Sequence, residues 1–138
     1  MFEDVLVPLL LTKTVGQVKG KTRFQKLMFL VKRHAEKEGV KGINFDFQIY
    51  LYGPFSHDLS REIYDLVRQG FIVERTEQTC SNYEMHLYKL SKKGEDFLEA
   101  ARSKELVSTK IACIINDVVT TYSTLPLPQL VKEAYKQF

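Results

Sequence analysis

Ser56, His57 and Asp58 stand side by side and are the residue types of a nucleophile, a base and an orienting acid. A hydrolytic triad needs those three groups to converge on one point, and consecutive side chains at a helix start diverge instead. Helix capping by Ser56, with the Asp58 charge near the positive end of the helix, explains both residues more simply. His34, His57 and His86 fall in different elements, and none has a second metal ligand at workable spacing. The glycines stand at breaks and build no phosphate-cradling loop. Cys80 and Cys113 form no CxxC and fit a reduced, cytosolic protein. No catalytic residue, metal site or cofactor is expected.

Residues suited to binding are more numerous. Between positions 19 and 41 the chain carries Lys19, Lys21, Arg23, Lys26, Lys32, Arg33, Lys37 and Lys41 against only Glu36 and Glu38. A run of this kind is commonly the solvated face of a core helix; its functional reading is a phosphate-contacting or acid-docking surface. On duplex DNA, Lys21, Arg23, Lys26 and Arg33 would position the backbone, while Arg61 and Arg68 could read guanine edges. Against DNA, the segment holding Arg61 and Arg68 also carries Asp58, Glu62 and Asp65, and an acidic face is repelled by phosphate. Phe45, Phe47, Tyr50, Tyr52 and Phe55 form an aromatic cluster that either packs internally or exposes a tyrosine. In the second case Tyr50, Tyr52 and Pro54 become anchors for a protein partner.

These residues must be held by elements that the hydrophobic pattern outlines. Residues 5–14 read as a first helix facing the core through Val5, Leu6, Leu9 and Leu10, with Pro8 in or near its first turn. A second, central helix over about 21–38 buries Phe24, Leu27, Met28 and Val31. Residues 47–52 read as a strand with Phe47, Ile49 and Leu51 on one side, stopped at Gly53-Pro54. Ser56 then caps a helix whose stripe is Leu59, Ile63, Leu66 and Val67, and Gly70 closes it. Residues 71–76 and 83–90 alternate as paired strands around a polar turn. Ser91 caps a further helix with Phe97, Leu98 and Ala101 inward, and residues 105–121 form another with Ile111, Ile114, Ile115, Val118 and Val119. The broad apolar face of that helix suits either core or self-association. Leu125-Pro126-Leu127-Pro128 leads into a last helix burying Leu130, Val131 and Ala134.

A helix followed at once by a strand hairpin predicts an α+β fold with a winged helix-turn-helix core and additional C-terminal helices. One domain over 1–138 is expected, with its core at about 1–104 and the extension at about 105–138. Composition agrees with a globular protein, at 44% hydrophobic and 27% charged residues. A net charge of +3 permits a nucleic-acid partner without requiring one. Glu3 and Asp4 stand where a signal peptide would be positive, and no apolar run approaches the ~20 residues of a membrane span. The expected location is the cytoplasm.

Lys21-Thr22-Arg23-Phe24-Gln25-Lys26-Leu27, the Tyr50-Leu51-Tyr52-Gly53-Pro54-Phe55-Ser56 turn and residues 66–72 together resemble the YwgA-type proteins, small winged-helix-like domains of prokaryotes. The ending from Leu127 to Tyr135 is similar as well. The Tyr-Gly-Pro turn also resembles that of the more distant Panacea antitoxin domain. The resemblance spans the chain from Lys21 onward and implies the fold rather than an activity. Its antitoxin relatives imply a partner protein that is bound and neutralised. The expectation is therefore a non-catalytic binding protein, foremost a DNA-binding regulator of toxin–antitoxin type. The alternative is a protein-interaction module or antitoxin that leaves DNA alone. Duplex DNA and a toxin-like or acidic protein are the expected partner classes, and the C-terminal helices are the expected seam of a homodimer.

Overall fold

The computed structural model describes residues 2–138. Six helices and five short strands follow one another as α1 (Phe2–Val15), β1 (Val18–Lys19), α2 (Lys21–Lys37), β2 (Gln48–Tyr50), β3 (Gly53–Phe55), α3 (His57–Arg68), β4 (Ile72–Gln78), β5 (Glu84–Leu90), α4 (Lys92–Ser103), α5 (Thr109–Tyr122) and α6 (Leu127–Gln137). The result is a mixed α+β arrangement of helices around two small antiparallel sheets.

Two helices share the centre. In α2 every residue from Phe24 to Val31 is buried, because α5 and α6 pack against one side while β1, β3 and β5 close the others. α1 is enclosed as thoroughly, with Leu6, Val7, Leu9, Leu10 and Leu11 buried among α3, α4, α5 and β5. Pro8 lies inside this helix rather than in its first turn, a departure from the sequence reading. An interior proline forfeits one helical hydrogen bond, and burial of α1 on all sides offsets that loss. The buried Thr12 hydroxyl meanwhile donates to the Pro8 carbonyl at 2.8 Å.

β4 and β5 form a seven-residue hairpin running in register from Ile72↔Leu90 to Gln78↔Glu84. β1 adds to the far edge of β5, giving the strand order β1-β5-β4. Asn82, at φ 62, turns the hairpin. The local signals for α3 and α4 act as expected: Ser56 accepts from Leu59 N and Ser91 accepts from Gly94 N. Gly70 takes φ 83 at the end of α3.

The segment from 47 to 55 differs from its sequence reading. Gly53-Pro54 does not stop a strand; it opens the return strand of a tight hairpin in which Tyr50 pairs with Gly53 and Gln48 with Phe55. β2 buries neither side, so Ile49 and Leu51, which alternation places on one side with Phe47, are exposed. A hairpin only three residues long has too little area for one face to form a core.

α5 begins four residues later than expected. Glu105, at φ 56, closes α4, with Leu106 N bonded to the Ala101 carbonyl, and Ser108 then caps α5. Ile111, Ile114, Ile115, Val118 and Val119 all pack into the core against α1 and α2. The apolar face considered for self-association is therefore internal.

Candidate binding site at the β2–β3 hairpin

The cations of α2 are drawn inward. Arg23 Nη1 donates to the Ser123 and Leu125 carbonyls at 3.1 and 2.9 Å, which ties the α5–α6 connection to α2. Partial burial lowers the pKa of its guanidinium. Lys32 donates to the Phe45 carbonyl. Arg33 donates through Nε to Gln137 O at 2.6 Å, reaches Phe138 O, and pairs with Glu36 at 2.9 Å. Its guanidinium also lies over the Phe29 and Phe138 rings. Donors expected to face phosphate are thus directed at carbonyls of this chain.

Lys26 departs furthest from its expected role. It is 1% exposed, and its Nζ donates to the Pro54 carbonyl at 2.7 Å. Burial lowers the ammonium pKa to about 8. No carboxylate among the described residues pairs with it. A lysine so enclosed cannot lie along a DNA backbone. The residue before it, Gln25, is buried too and makes a two-point clamp on the α3 cap. Gln25 Nε2 donates to Ser56 O at 2.9 Å, and Ser56 N donates to Gln25 Oε1 at 2.8 Å.

Gln25 and Lys26 together fasten β3 and the start of α3 to the central helix. From the other side, Tyr135 of α6 donates its hydroxyl to Tyr50 O at 3.1 Å. Gly53 fits between these braces: at φ 94, an added Cβ would stand 3.2 Å from Lys26 Cε and 3.5 Å from the Tyr135 ring. Inside the hairpin, Tyr50, Phe55 and His57 pack edge to face with centroids 5.1 to 5.6 Å apart, and the Tyr50 hydroxyl lies 3.0 Å from His57 Nε2.

The held hairpin presents its tip outward. Leu51 is 91% exposed and Tyr52 67%, with Ile49 and Tyr50 close to half exposed beside them. Pro54, grouped with the two tyrosines as an anchor, is buried instead, because β3 lies against α2 and α6. The aromatic cluster therefore divides. Phe45 is core, Phe47 and Phe55 are half-buried, and Tyr50 and Tyr52 face outward. Leu51 escaped the sequence reading because alternation placed it on one side of a strand without saying what would cover that side. A legible signal was three large residues in a row before Gly-Pro, more than a two-residue tip can bury.

On α3, Leu59, Ile63 and Leu66 are buried, which leaves His57, Arg61, Tyr64 and Arg68 along the outward side at helical spacing. Arg68 lies 5.8 Å from the Tyr64 ring centroid. The acidic residues occupy one flank. Asp58 accepts from the Asp46 N–H, while Glu62, half-buried near Asp65 and Asp4, has its pKa raised by desolvation and by those two charges. Arg61 and Arg68 are thus exposed and sit together, whereas Arg23, Lys26 and Arg33 are engaged elsewhere. Lys21 is exposed at the start of α2, where it lines two clefts. One, of about 320 Å³, separates α3 from the β4–β5 sheet and also holds Glu74 and Tyr88. Burial, with the Glu74 carboxylate beside it, pushes the Tyr88 hydroxyl pKa up. The other cleft, of about 260 Å³, lies under the β2–β3 hairpin.

Among the described residues no cluster of His, Cys, Asp and Glu is arranged to hold a metal. Both cysteines are free and exposed. No helix among those residues is long and apolar enough to cross a membrane. No catalogued protein family matches the chain. It is 30% identical over 86 residues to the uncharacterised protein YwgA of Bacillus subtilis (strain 168), a match covering 62% of this chain and 48% of that protein. The chain therefore matches about half the length of this curated relative. The likeness agrees in part with the resemblance read from the sequence, and the relative's name carries no activity.

Proposed function

We propose that this protein is a non-catalytic binding module that engages another protein through the β2–β3 hairpin. The carrying observation is Leu51, 91% exposed on a hairpin tip fixed by Lys26, Gln25 and Tyr135. Large apolar side chains on a braced turn cost free energy in water and give a partner a rigid anchor whose ordering entropy is already spent. A role as an antitoxin that neutralises its partner fits this reading.

The test places a photo-cross-linking benzoylphenylalanine at Leu51 in cells of the native host. The captured protein is identified by mass spectrometry, purified and titrated by calorimetry. Leu51→Asp is expected to weaken that complex by about tenfold or more, the factor that ~1.4 kcal/mol represents. Equal affinity for wild type and variant would sink the proposal.

A second reading rests on α3. The order α1-β1-α2-β2-β3-α3-β4-β5, with β1 beside β5, is compatible with a winged helix that carries the β2–β3 hairpin between α2 and α3, and in that reading α3 would be the recognition helix. Arg61 and Arg68 beside Tyr64 on the outward side favour duplex DNA as its ligand. Three of the four α2 cations proposed for phosphate contact are occupied internally, which ranks DNA behind a protein partner.

A further inference from the structure

The cleft beneath the β2–β3 hairpin has a composition that an exposed tip alone does not explain. Its volume is about 260 Å³, and Lys21, Lys26 and His57 line it without any acidic residue. Lys26 is the informative member. Its ammonium is withdrawn from water and meets only a neutral carbonyl. A buried charge without a counter-ion is costly, so an anion entering the cleft would recover part of that cost. The first turn of α2 adds positive potential at the same place. Gly20 gives it no side-chain cap, no acid stands in the turn, and its residues Lys21 and Thr22 both line the cleft. The remaining wall is apolar and preformed, built from the edge-packed rings of Tyr50, Phe55 and His57.

We propose that this cleft receives an acidic segment of the protein partner, one carboxylate turned to the exposed Lys21 within the field of the enclosed Lys26 and one neighbouring apolar side chain laid against Tyr50 and Phe55. The proposal rests on the protein-binding reading above and supplies the partner's chemistry. Charge complementarity supports an acidic segment: Lys21 and Lys26 line the cleft together with Tyr50 and Phe55, and no acidic residue does. Leu51, on the rim of the same cleft, would meet the partner's surface beside the inserted segment.

The probes are two capped dipeptides, N-acetyl-Phe-Glu-amide and its neutral counterpart N-acetyl-Phe-Gln-amide. Each is titrated to millimolar concentration into the full chain, followed by amide shifts in a proton–nitrogen correlation spectrum. The acidic dipeptide is expected to shift Lys21, Thr22, Gly53 and Phe55 and to bind about tenfold more tightly than the neutral one. Lys26→Met is expected to abolish that preference. The exposed Lys21→Ser reduces it without disturbing the core, so the proposal stays testable should Lys26→Met fail to fold. Equal binding of the two probes, shifts elsewhere in the molecule, or no shift at all would overturn the proposal. Failure of the dipeptides alongside a Leu51-dependent complex leaves the hairpin reading intact and removes only the acidic pocket. Dipeptide binding without any partner captured at Leu51 removes the hairpin reading and, with it, the partner's segment as the occupant of the cleft.

Discussion

At the scale of single residues, the notable pair is Gln25 and Lys26, adjacent polar side chains buried within the central helix. Gln25 satisfies both backbone groups of Ser56. Gln25→Ala would leave the buried Ser56 N–H unpaired, while the Ser56 carbonyl keeps the Ser60 N–H at 3.1 Å, so a loss of about 1–3 kcal/mol is expected in urea unfolding. A loss below about 1 kcal/mol would mean that water replaces the amide without penalty. Lys26 carries a pH signature. Its ammonium ionises near 8 in the folded protein, against 10.5 for an unperturbed lysine. Between those values the unfolded chain binds more protons than the folded one, so this group makes stability rise with pH. The burial penalty on the charge is complete below about pH 8 and relieved above 10.5. Wild type should therefore gain stability relative to Lys26→Met between about pH 7 and pH 10. Urea midpoints of both proteins across that range provide the check, and a constant gap would contradict it.

At the scale of elements, the β2–β3 hairpin is a small structure held from outside. Its three pairs of residues could not persist alone, since an isolated two-stranded hairpin is marginal in water. Lys26, Gln25 and Tyr135 supply the fixation, and Gly53 permits the approach. Gly53→Ala requires a left-handed backbone at an alanine and pushes Cβ toward Lys26 and Tyr135. An expected cost of about 1–2 kcal/mol follows from the backbone alone. Hydrogen exchange should place the added opening in residues 47–57, with β4 and β5 keeping their protection. Uniform loss of protection would show the hairpin to be continuous with the core in stability. α3 divides its labour by side: apolar residues inward, acids along one flank, and His57, Arg61, Tyr64 and Arg68 outward.

At the scale of the whole molecule, the net charge of +3 overstates the basic surface available to a ligand. Arg23, Lys26, Lys32 and Arg33 act as braces between α2 and the segments around it. Lys26→Glu would consequently report on folding before it reported on DNA. If duplex DNA binds through α3, Arg61→Ala combined with Arg68→Ala should weaken it. Every phosphate that the variant no longer neutralises should flatten the dependence of log affinity on log salt by about 0.9. Leu51→Asp should leave that affinity unchanged. Fluorescence anisotropy at two salt concentrations reads all three proteins. A duplex affinity that ignores both arginines would remove α3 from the interface.

The sequence by itself determined what is decided over a few residues. Ser56 and Ser91 cap their helices, Gly70 ends α3, and period-two alternation marks the β4–β5 hairpin, because caps, left-handed turns and strand pairing across a short turn depend on neighbours in the chain. The central place of α2 was legible in its apolar residues for the same reason. Tertiary structure alone decided which polar and aromatic side chains meet water. Lys26 looks like any surface lysine until Pro54, brought from 28 residues away, offers it a carbonyl. Arg23 and Arg33 find their acceptors about a hundred residues further along. Leu51 reads as a strand residue on the side of Phe47 and Ile49 until the chain turns at it and leaves its side chain 91% exposed. Exposure is a property of what lies opposite, and spacing along one element cannot say what another will bring there.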